Sequence, residues 1–179
     1  NIKYKIINMW ESNDKNNYTL HKQHNIGQIC NDSFSLKIRE LAGNLENKIF
    51  LEIGTWNGLG STKQFMDVLK TRNDDYIFYS LECNSDKCND ARNLYVTEKN
   101  IIILNEVLFN IQPDNFYDIF PQCANNPMFE EWHKVDMENM KKCDLFLERD
   151  DLPELFDVIL LDGGEFTTYF EFQLIKDKC

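Results

Sequence analysis

The stretch that decides the fold reads Ile49-Phe-Leu-Glu-Ile-Gly-Thr-Trp-Asn-Gly-Leu-Gly-Ser-Thr62. Its apolar beginning, 49–53, is typical of a strand that is buried on both faces of a parallel sheet. Glu52 interrupts this run near the carboxyl end, which is where open α/β sheets bind ligands. The glycines that follow allow a tight turn and a close backbone approach to a bound molecule. They are Gly54, Gly58 and Gly60.

A helix is predicted to begin directly after this glycine-rich loop. Ser61, with Gln64 three residues later, indicates a capping box. Phe65, Val68 and Leu69 then recur at helical spacing and would pack back on the sheet. A strand, a glycine loop and a helix in this order favour a nucleotide-type cofactor site in an α/β fold.

The glycine spacing differs from that of the dinucleotide fingerprint, which places a helix N-terminus against a pyrophosphate. Here the order is Glu52-x-Gly54-x-x-x-Gly58-x-Gly60. A carboxylate at Glu52 would repel a phosphate and attract an ammonium or sulfonium group. The pattern resembles the first motif of the class I S-adenosylmethionine-dependent methyltransferases. The alternative is an ordinary strand-turn-helix corner in which the glycines serve the geometry alone.

Three further apolar runs predict strands that also end in polar or acidic residues, namely 76–82, 100–106 and 156–164. Glu82 follows Gly54 by 28 residues, and an acid at the end of a second strand binds ribose hydroxyls in nucleotide-binding folds. Ser85 is the predicted N-cap of the next helix. The sequence therefore predicts an α/β, Rossmann-like, doubly wound and mostly parallel sheet.

The resemblance also implies roles for individual residues. It makes S-adenosylmethionine the cofactor and assigns Glu106 to the adenine and Asp162 to the side of the methyl acceptor. Asp162 would act as a general base or as one ligand of a divalent metal such as Mg²⁺. Glu165 would assist it, although relatives often carry His at that place. The cofactor would be held by Glu52, Gly54, Thr55, Gly58, Gly60, Ser61, Glu82 and Glu106.

Composition narrows the classes of partner. The 179 residues include 19 basic and 30 acidic side chains, a formal net charge of −11. Such a chain would repel nucleic acid and acidic lipid surfaces at long range. No apolar run is long enough to span a membrane, and the six cysteines lack a metal-ligand spacing. We therefore expect no nucleic acid and no membrane among its partners, reduced thiols and a cytoplasmic location.

The chain divides into a lead-in with a helix, 1–48, and a cofactor-binding domain, 49–179, with an insertion at 110–153. Phe34, Ile38, Leu41 and Leu45 predict the lead-in helix, and Ile2–Met9 is a candidate strand. The insertion contains prolines that predict an irregular first part. After Pro127 the helical face that we expect contains Phe129, Trp132, Met140, Cys143 and Leu147.

Asp136 falls in the middle of that face, so either the helix breaks there or the acid faces a cleft, and a break is the interpretation we favour. His133, next to Trp132, could stand near a substrate, although a surface position is the interpretation we favour. The sheet of the resembling family continues beyond a fourth strand, in the order three, two, one, four, five, seven, six. We therefore predict a domain that is incomplete at its C-terminus, which leaves Val158–Leu161 as an unprotected edge. The alternatives are that a partner chain covers this edge, so that the chain associates through it, or that Ile2–Met9 pairs there.

The lead-in also resembles a narrower group, the cephalosporin-hydroxylase and macrocin O-methyltransferase-like family, through Gly27 and Asp32. The function predicted from the sequence is O-methylation of a small molecule or glycan by an S-adenosylmethionine-dependent enzyme. Two alternatives stay open. One is a non-catalytic methyltransferase-like scaffold or oligomerisation domain, and the other is a NAD-dependent oxidoreductase or epimerase.

Overall fold

The computed structural model of this chain describes residue 29 and residues 32–179, in which strands and helices alternate. The strands are β1 (Ile49–Ile53), β2 (Ile77–Leu81), β3 (Ile101–Leu104), β4 (Glu106–Val107), β5 (Asp144–Leu145) and β6 (Val158–Leu161). The α-helices are α1 (Ser33–Gly43), α2 (Ser61–Leu69), α3 (Ser85–Leu94), α4 (Phe116–Ile119), α5 (Pro121–Asn125), α6 (Pro127–Met140) and α7 (Thr168–Ile175). Two 3₁₀ segments cover Phe146–Glu148 and Lys176–Lys178.

Four of the strands form one parallel sheet in the order β3-β2-β1-β6. The chain moves outward from β1 to β2 and β3, and then returns to the other side of β1 to place β6. Because the strand order reverses at β1, a crevice forms at the carboxyl ends of β1 and β6, where doubly wound folds bind ligands. This topology confirms the predicted α/β, Rossmann-like class and the order of the first four strands.

The two remaining strands, β4 and β5, pair with each other in a separate short ladder. Within the described part of the chain, β6 pairs with β1 on one side and with no strand on the other. Val158–Leu161 is therefore one edge of this sheet. The candidate strand Ile2–Met9 and the resemblance at Gly27 lie outside the described residues.

The sheet is buried on both faces, as its continuous apolar strands require. On one face Phe50 of β1, Phe78 of β2 and Phe65 of α2 form a ring cluster, with centroids 4.9–6.5 Å apart. The helix face predicted from Phe65 and Leu69 is confirmed, since both are buried against this side of the sheet. On the other face Tyr79 and Phe146 belong to a second buried cluster.

The predicted capping box at α2 is wrong. The N-cap is Gly60, which has no side chain, and Ser61 is the first helical residue. Ser61 Oγ instead donates to Asp162 Oδ2 at 2.9 Å, and Gln64 Oε1 accepts from Arg39 Nε at 2.9 Å. The side chains of Ser61 and Gln64, which the local pattern assigned to the cap, therefore bind residues that are distant in the sequence.

Two other helix boundaries differ slightly from the sequence pattern. The N-cap of α3 is Asn84 rather than Ser85, since the Asn84 side chain accepts from two backbone N–H groups of the first turn. The lead-in helix α1 is capped by Asp32, which forms a reciprocal capping box with Ser35. Leu45 lies beyond the end of α1 and is exposed, so it does not belong to the predicted helical face.

The insertion is irregular at its beginning, as its prolines predicted, because α4 and α5 are short helices. The predicted break at Asp136 is wrong, since α6 runs without interruption through it for 14 residues. The buried residues of α6 are His133, Met137 and Met140, whereas Trp132 is exposed. The helix is therefore rotated relative to the face expected from the sequence, and His133 is buried rather than at the surface. No helix in the described part of the chain is long and apolar enough to cross a membrane.

The fold predicts that Gly54 cannot carry a side chain. Its φ is +102°, and an added Cβ would lie 2.0 Å from the Asp162 carbonyl oxygen, so the loop would have to move. We expect Gly54→Ala to lower the free energy of unfolding by about 3 kcal/mol and Tm by roughly 6–12 °C, measured by calorimetry.

Gly43→Ala is the matched control for this substitution. Gly43 ends α1, and the nearest neighbour of an added Cβ would be Val68 at 3.7 Å, an ordinary contact. We expect no loss of stability in this variant. Equal melting temperatures for the two variants would contradict the tight contact at Gly54.

Candidate functional site

The glycine-rich loop between β1 and α2 lies across the carboxyl end of β2. The carbonyl of Leu81 accepts from the backbone N–H groups of both Gly54 and Thr55, at 2.9 and 3.0 Å. Gly54 and Gly58 have φ values of +102° and +80°, and Trp56 also has a positive φ of 49°. The glycines at these two positions therefore meet the need for a left-handed backbone, while Trp56 adopts it at a cost in strain.

Gly58 fixes the far side of this loop against α3. Its carbonyl accepts a hydrogen bond from Tyr95 Oη at 2.7 Å. An added Cβ would lie 2.9 Å from the Tyr95 ring and 3.2 Å from the Ala91 Cβ. The predicted glycine positions thus allow close backbone packing on both sides of the loop.

Glu52 lies beneath this loop and is fully buried. Its Oε2 accepts from Thr62 Oγ1 and Ser80 Oγ, each at 2.6 Å, and its Oε1 has no partner among the described residues. Burial raises its pKa to about 7, although hydrogen bonds from neighbouring hydroxyl groups oppose that rise. Through these two hydrogen bonds the Glu52 carboxyl group links the first turn of α2 to β2.

Glu82 lies at the end of β2 and holds the loop from the side. Its Oε2 accepts from the backbone N–H of Trp56 at 2.6 Å, and its Oε1 accepts from that of Asn84 at 2.8 Å. Burial raises its pKa, while these two backbone hydrogen bonds act in the opposite direction. A carboxylate has about four acceptor positions, so both oxygens retain capacity for ligand hydroxyl groups.

Asp162 and Ser61 are 101 positions apart in the chain and meet at the switch point of the sheet. Ser61 Oγ donates to Asp162 Oδ2 at 2.9 Å. Burial, followed by the negative charge of Glu52, raises the pKa of Asp162 to about 8. The predicted helper Glu165 is exposed, and its charge adds to the rise in the pKa of Asp162.

Glu106 is paired with the protein through one carboxyl oxygen, while its Oε2 is buried without a partner among the described residues. Its Oε1 forms an ion pair with Arg149 Nη1 at 2.7 Å, within the region of the β4–β5 ladder. The residue that contacts the Glu82 segment is Asn105, whose Nδ2 donates to the carbonyls of Glu82 and Cys83 at 2.7 and 3.1 Å. The sequence signal for Asn105 was its position as the first polar residue after β3, one position before Glu106.

Two acidic residues that the sequence analysis did not assign to the site lie against the turn after β6. Asp136 of α6 packs on Gly164, and Glu171 of α7 packs on Gly163. Burial raises the pKa of Asp136 to about 6 and that of Glu171 to about 8. The sequence signal that could have placed Asp136 in the site was its position within an otherwise apolar helical face.

His133 supports α6 rather than the site. Its ring stacks on Phe116 with a centroid distance of 3.7 Å, and its Nε2 lies 3.2 Å from Gln112 Oε1. Burial lowers its pKa. Across residues 29 and 32–179, no group of three or more His, Cys, Asp or Glu side chains is arranged to hold a metal ion.

No protein-family model and no curated protein matches the sequence. A solved structure of a Staphylococcus aureus protein, provisionally assigned as a caffeoyl-CoA O-methyltransferase, superposes with a TM-score of 0.47 at 17% sequence identity. The match covers 92% of this chain and 60% of the other, so this chain spans less than two thirds of that protein.

The buried acids predict that stability depends on pH. The folded-state pKa of Glu52 lies above its unfolded value of 4.5, so its favourable contribution is complete below that value and is lost as the pH rises through about 7. We expect the free energy of unfolding, from urea titrations, to fall between pH 5 and pH 8. In Glu52→Gln this decrease should be smaller by on the order of 2–3 kcal/mol, because an amide does not titrate.

Glu154→Gln is the control for this experiment, since Glu154 is exposed. It should keep the pH dependence of the unchanged protein. If the Glu52→Gln variant lost as much stability between pH 5 and pH 8 as the unchanged protein, the shifted pKa of Glu52 would be refuted.

Proposed function

We propose that this chain binds S-adenosylmethionine and transfers its methyl group to a hydroxyl group of a small molecule or glycan. The observation that carries the proposal is the site at the switch point of the sheet. There Glu52 of β1 and the loop that starts at Gly54 meet Glu82, directly after β2, and Asp162, directly after β6. These three segments match the motifs on which the methyltransferase resemblance rests, and they lie at the same edge of the sheet.

The residues present fit the cofactor in two respects. Glu82 lies beside the loop with acceptor capacity for two ribose hydroxyl groups, and Asn105 holds the backbone of the Glu82 segment. The strained backbone at Trp56, whose N–H binds Glu82, is of the kind that accumulates at ligand sites. Glu52 is fully buried beneath the loop, so its effect on a ligand would be electrostatic rather than a direct contact.

The charges favour this cofactor over a dinucleotide. The carboxyl groups of Glu52, Glu82 and Asp162 lie around the loop, and the charge of Glu52 acts on Asp162. In their ionised forms these groups would oppose a pyrophosphate and stabilise a sulfonium or ammonium group. This argument also makes the NAD-dependent alternative the weaker one.

The proposed reaction requires no covalent bond between the protein and the substrate or cofactor. The cofactor, when bound, supplies an electrophilic methyl group, and its transfer is an in-line displacement that requires alignment and exclusion of water. Asp162, held by Ser61, would accept the proton of the acceptor hydroxyl, since a pKa near 8 suits a base that works near neutral pH. The acidic net charge of −11 supports an acceptor other than nucleic acid.

Calorimetric titration with S-adenosylhomocysteine tests the cofactor assignment. We expect one site per chain, and weaker binding by about ten- to a hundredfold in Glu82→Ala, because hydrogen bonds to a charged group contribute about 1.5–3 kcal/mol. Glu154→Ala, at an exposed position, should bind as the unchanged protein does.

Two outcomes of this titration would contradict the assignment. A folded chain that binds NAD but not S-adenosylhomocysteine would favour the oxidoreductase alternative. A folded chain that binds neither would indicate a non-catalytic scaffold. Full affinity in Glu82→Ala would remove Glu82 from the site.

A further inference from the structure

The turn that follows β6 is flanked by two carboxyl groups from two different helices. A Cβ added to Gly164 would lie 2.6 Å from Asp136 Oδ2, and one added to Gly163 would lie 2.9 Å from Glu171 Oε2. Both carboxyl groups therefore lie in the space that a side chain at Gly163 or Gly164 would fill. The two carboxyl groups can come this close because neither glycine carries a side chain.

Neither carboxyl group is fully satisfied by the protein. Glu171 is 4% exposed, and its Oε2 has no hydrogen-bond partner among the described residues. Asp136 is half-buried and makes no hydrogen bond or ion pair with a described residue. A buried carboxyl oxygen without a donor is costly, and folded proteins rarely leave one unpaired. These two groups therefore have the character of a site that a ligand completes.

The charges around the pair have one sign. The charges of Glu165 and Glu82 act on Asp136, and the charge of Asp136 acts on Glu171. All of them are negative, and together with burial they raise the pKa of both groups. A ligand group with a positive charge and N–H donors would relieve this repulsion and supply the missing hydrogen bonds.

The pair lies next to the proposed acceptor side of the site. Gly163 and Gly164 directly follow Asp162, which the proposed function places beside the methyl acceptor. We propose that Asp136 and Glu171 bind a protonated amino group of the acceptor, which makes amino alcohols and amino sugars the substrate class. Asp136 is the more accessible of the two, since it is half-buried, and Glu171 lies against the adjacent Gly163 with its Oε2 unpartnered among the described residues. This inference rests on the proposed function, because that function makes the bound amine an acceptor.

A small amine can test this site without knowledge of the full substrate. We would titrate the ¹⁵N-labelled chain with ethanolammonium chloride at pH 7.5 and constant ionic strength, in the presence of saturating S-adenosylhomocysteine so that the cofactor's own amine site is filled. The backbone amide signals of Gly163 and Gly164 should shift in a saturable way. Ethylene glycol, the neutral analogue, should leave them unchanged.

The variants separate this site from general charge effects. Asp136→Asn should weaken ethanolammonium binding about tenfold or more while binding S-adenosylhomocysteine as the unchanged protein does. It should also fold normally, because no described residue depends on the Asp136 carboxylate. Glu138→Gln, exposed on the same helix, is the control and should bind ethanolammonium unchanged.

Each other outcome has a definite meaning. No shift at Gly163 and Gly164, an equal shift with ethylene glycol or sodium chloride, or a stronger response to Mg²⁺ would overturn the amine site. If S-adenosylhomocysteine does not bind, the same titration is run without it. Ethanolammonium binding that depends on Asp136 would then leave an amine site standing while the proposed methyl transfer fails.

Discussion

The whole site depends on one backbone contact, the approach of Gly54 to the turn after β6. The space for a side chain at Gly54 is occupied by the Asp162 carbonyl, 2.0 Å from where a Cβ would lie. Since this contact joins the ends of β1 and β6, it holds the two strand ends together at the switch point, where Ser61 donates to Asp162. A larger residue would separate the two strand ends and leave Asp162 without its partner. The left-handed backbone at Gly54 is therefore a requirement of the site as well as of the turn.

Several carboxyl groups around this contact reduce the stability of the fold. Glu52, Asp162 and Glu171 have raised pKa values because burial disfavours their charged forms. The cost must be offset by the rest of the structure, mainly by the aromatic and aliphatic side chains that cover both faces of the sheet. Strongly shifted acids that gather in one place are typical of functional sites, where stability is given up for electrostatic complementarity to a ligand.

The sequence predicted features that depend on local pattern and missed those that depend on distant partners. Apolar runs located the sheet strands, and the positions of their terminal acids placed Glu82 and Asp162 at one edge. Ser61 was assigned to a cap because a partner 101 residues away is invisible to a local pattern. The ion pair of Glu106 with Arg149 is likewise invisible to a local pattern, because it crosses the insertion. Asp136 was read as a helix break because apolar periodicity has no place for a buried acid.

The acids of the site fall into two groups that differ in how the protein treats them. Glu82 receives backbone N–H groups, and Glu52 receives hydroxyl groups, so both hold the loop in place before any ligand arrives. Asp136 accepts no hydrogen bond from a described residue, and Glu171 Oε2 is buried without a partner there. A loop fixed in advance lowers the ordering cost of binding a cofactor, whereas unsatisfied acceptors add affinity only for a ligand that brings the missing donors. The first group would thus preorganise the cofactor site, and the second would select the acceptor by its charge.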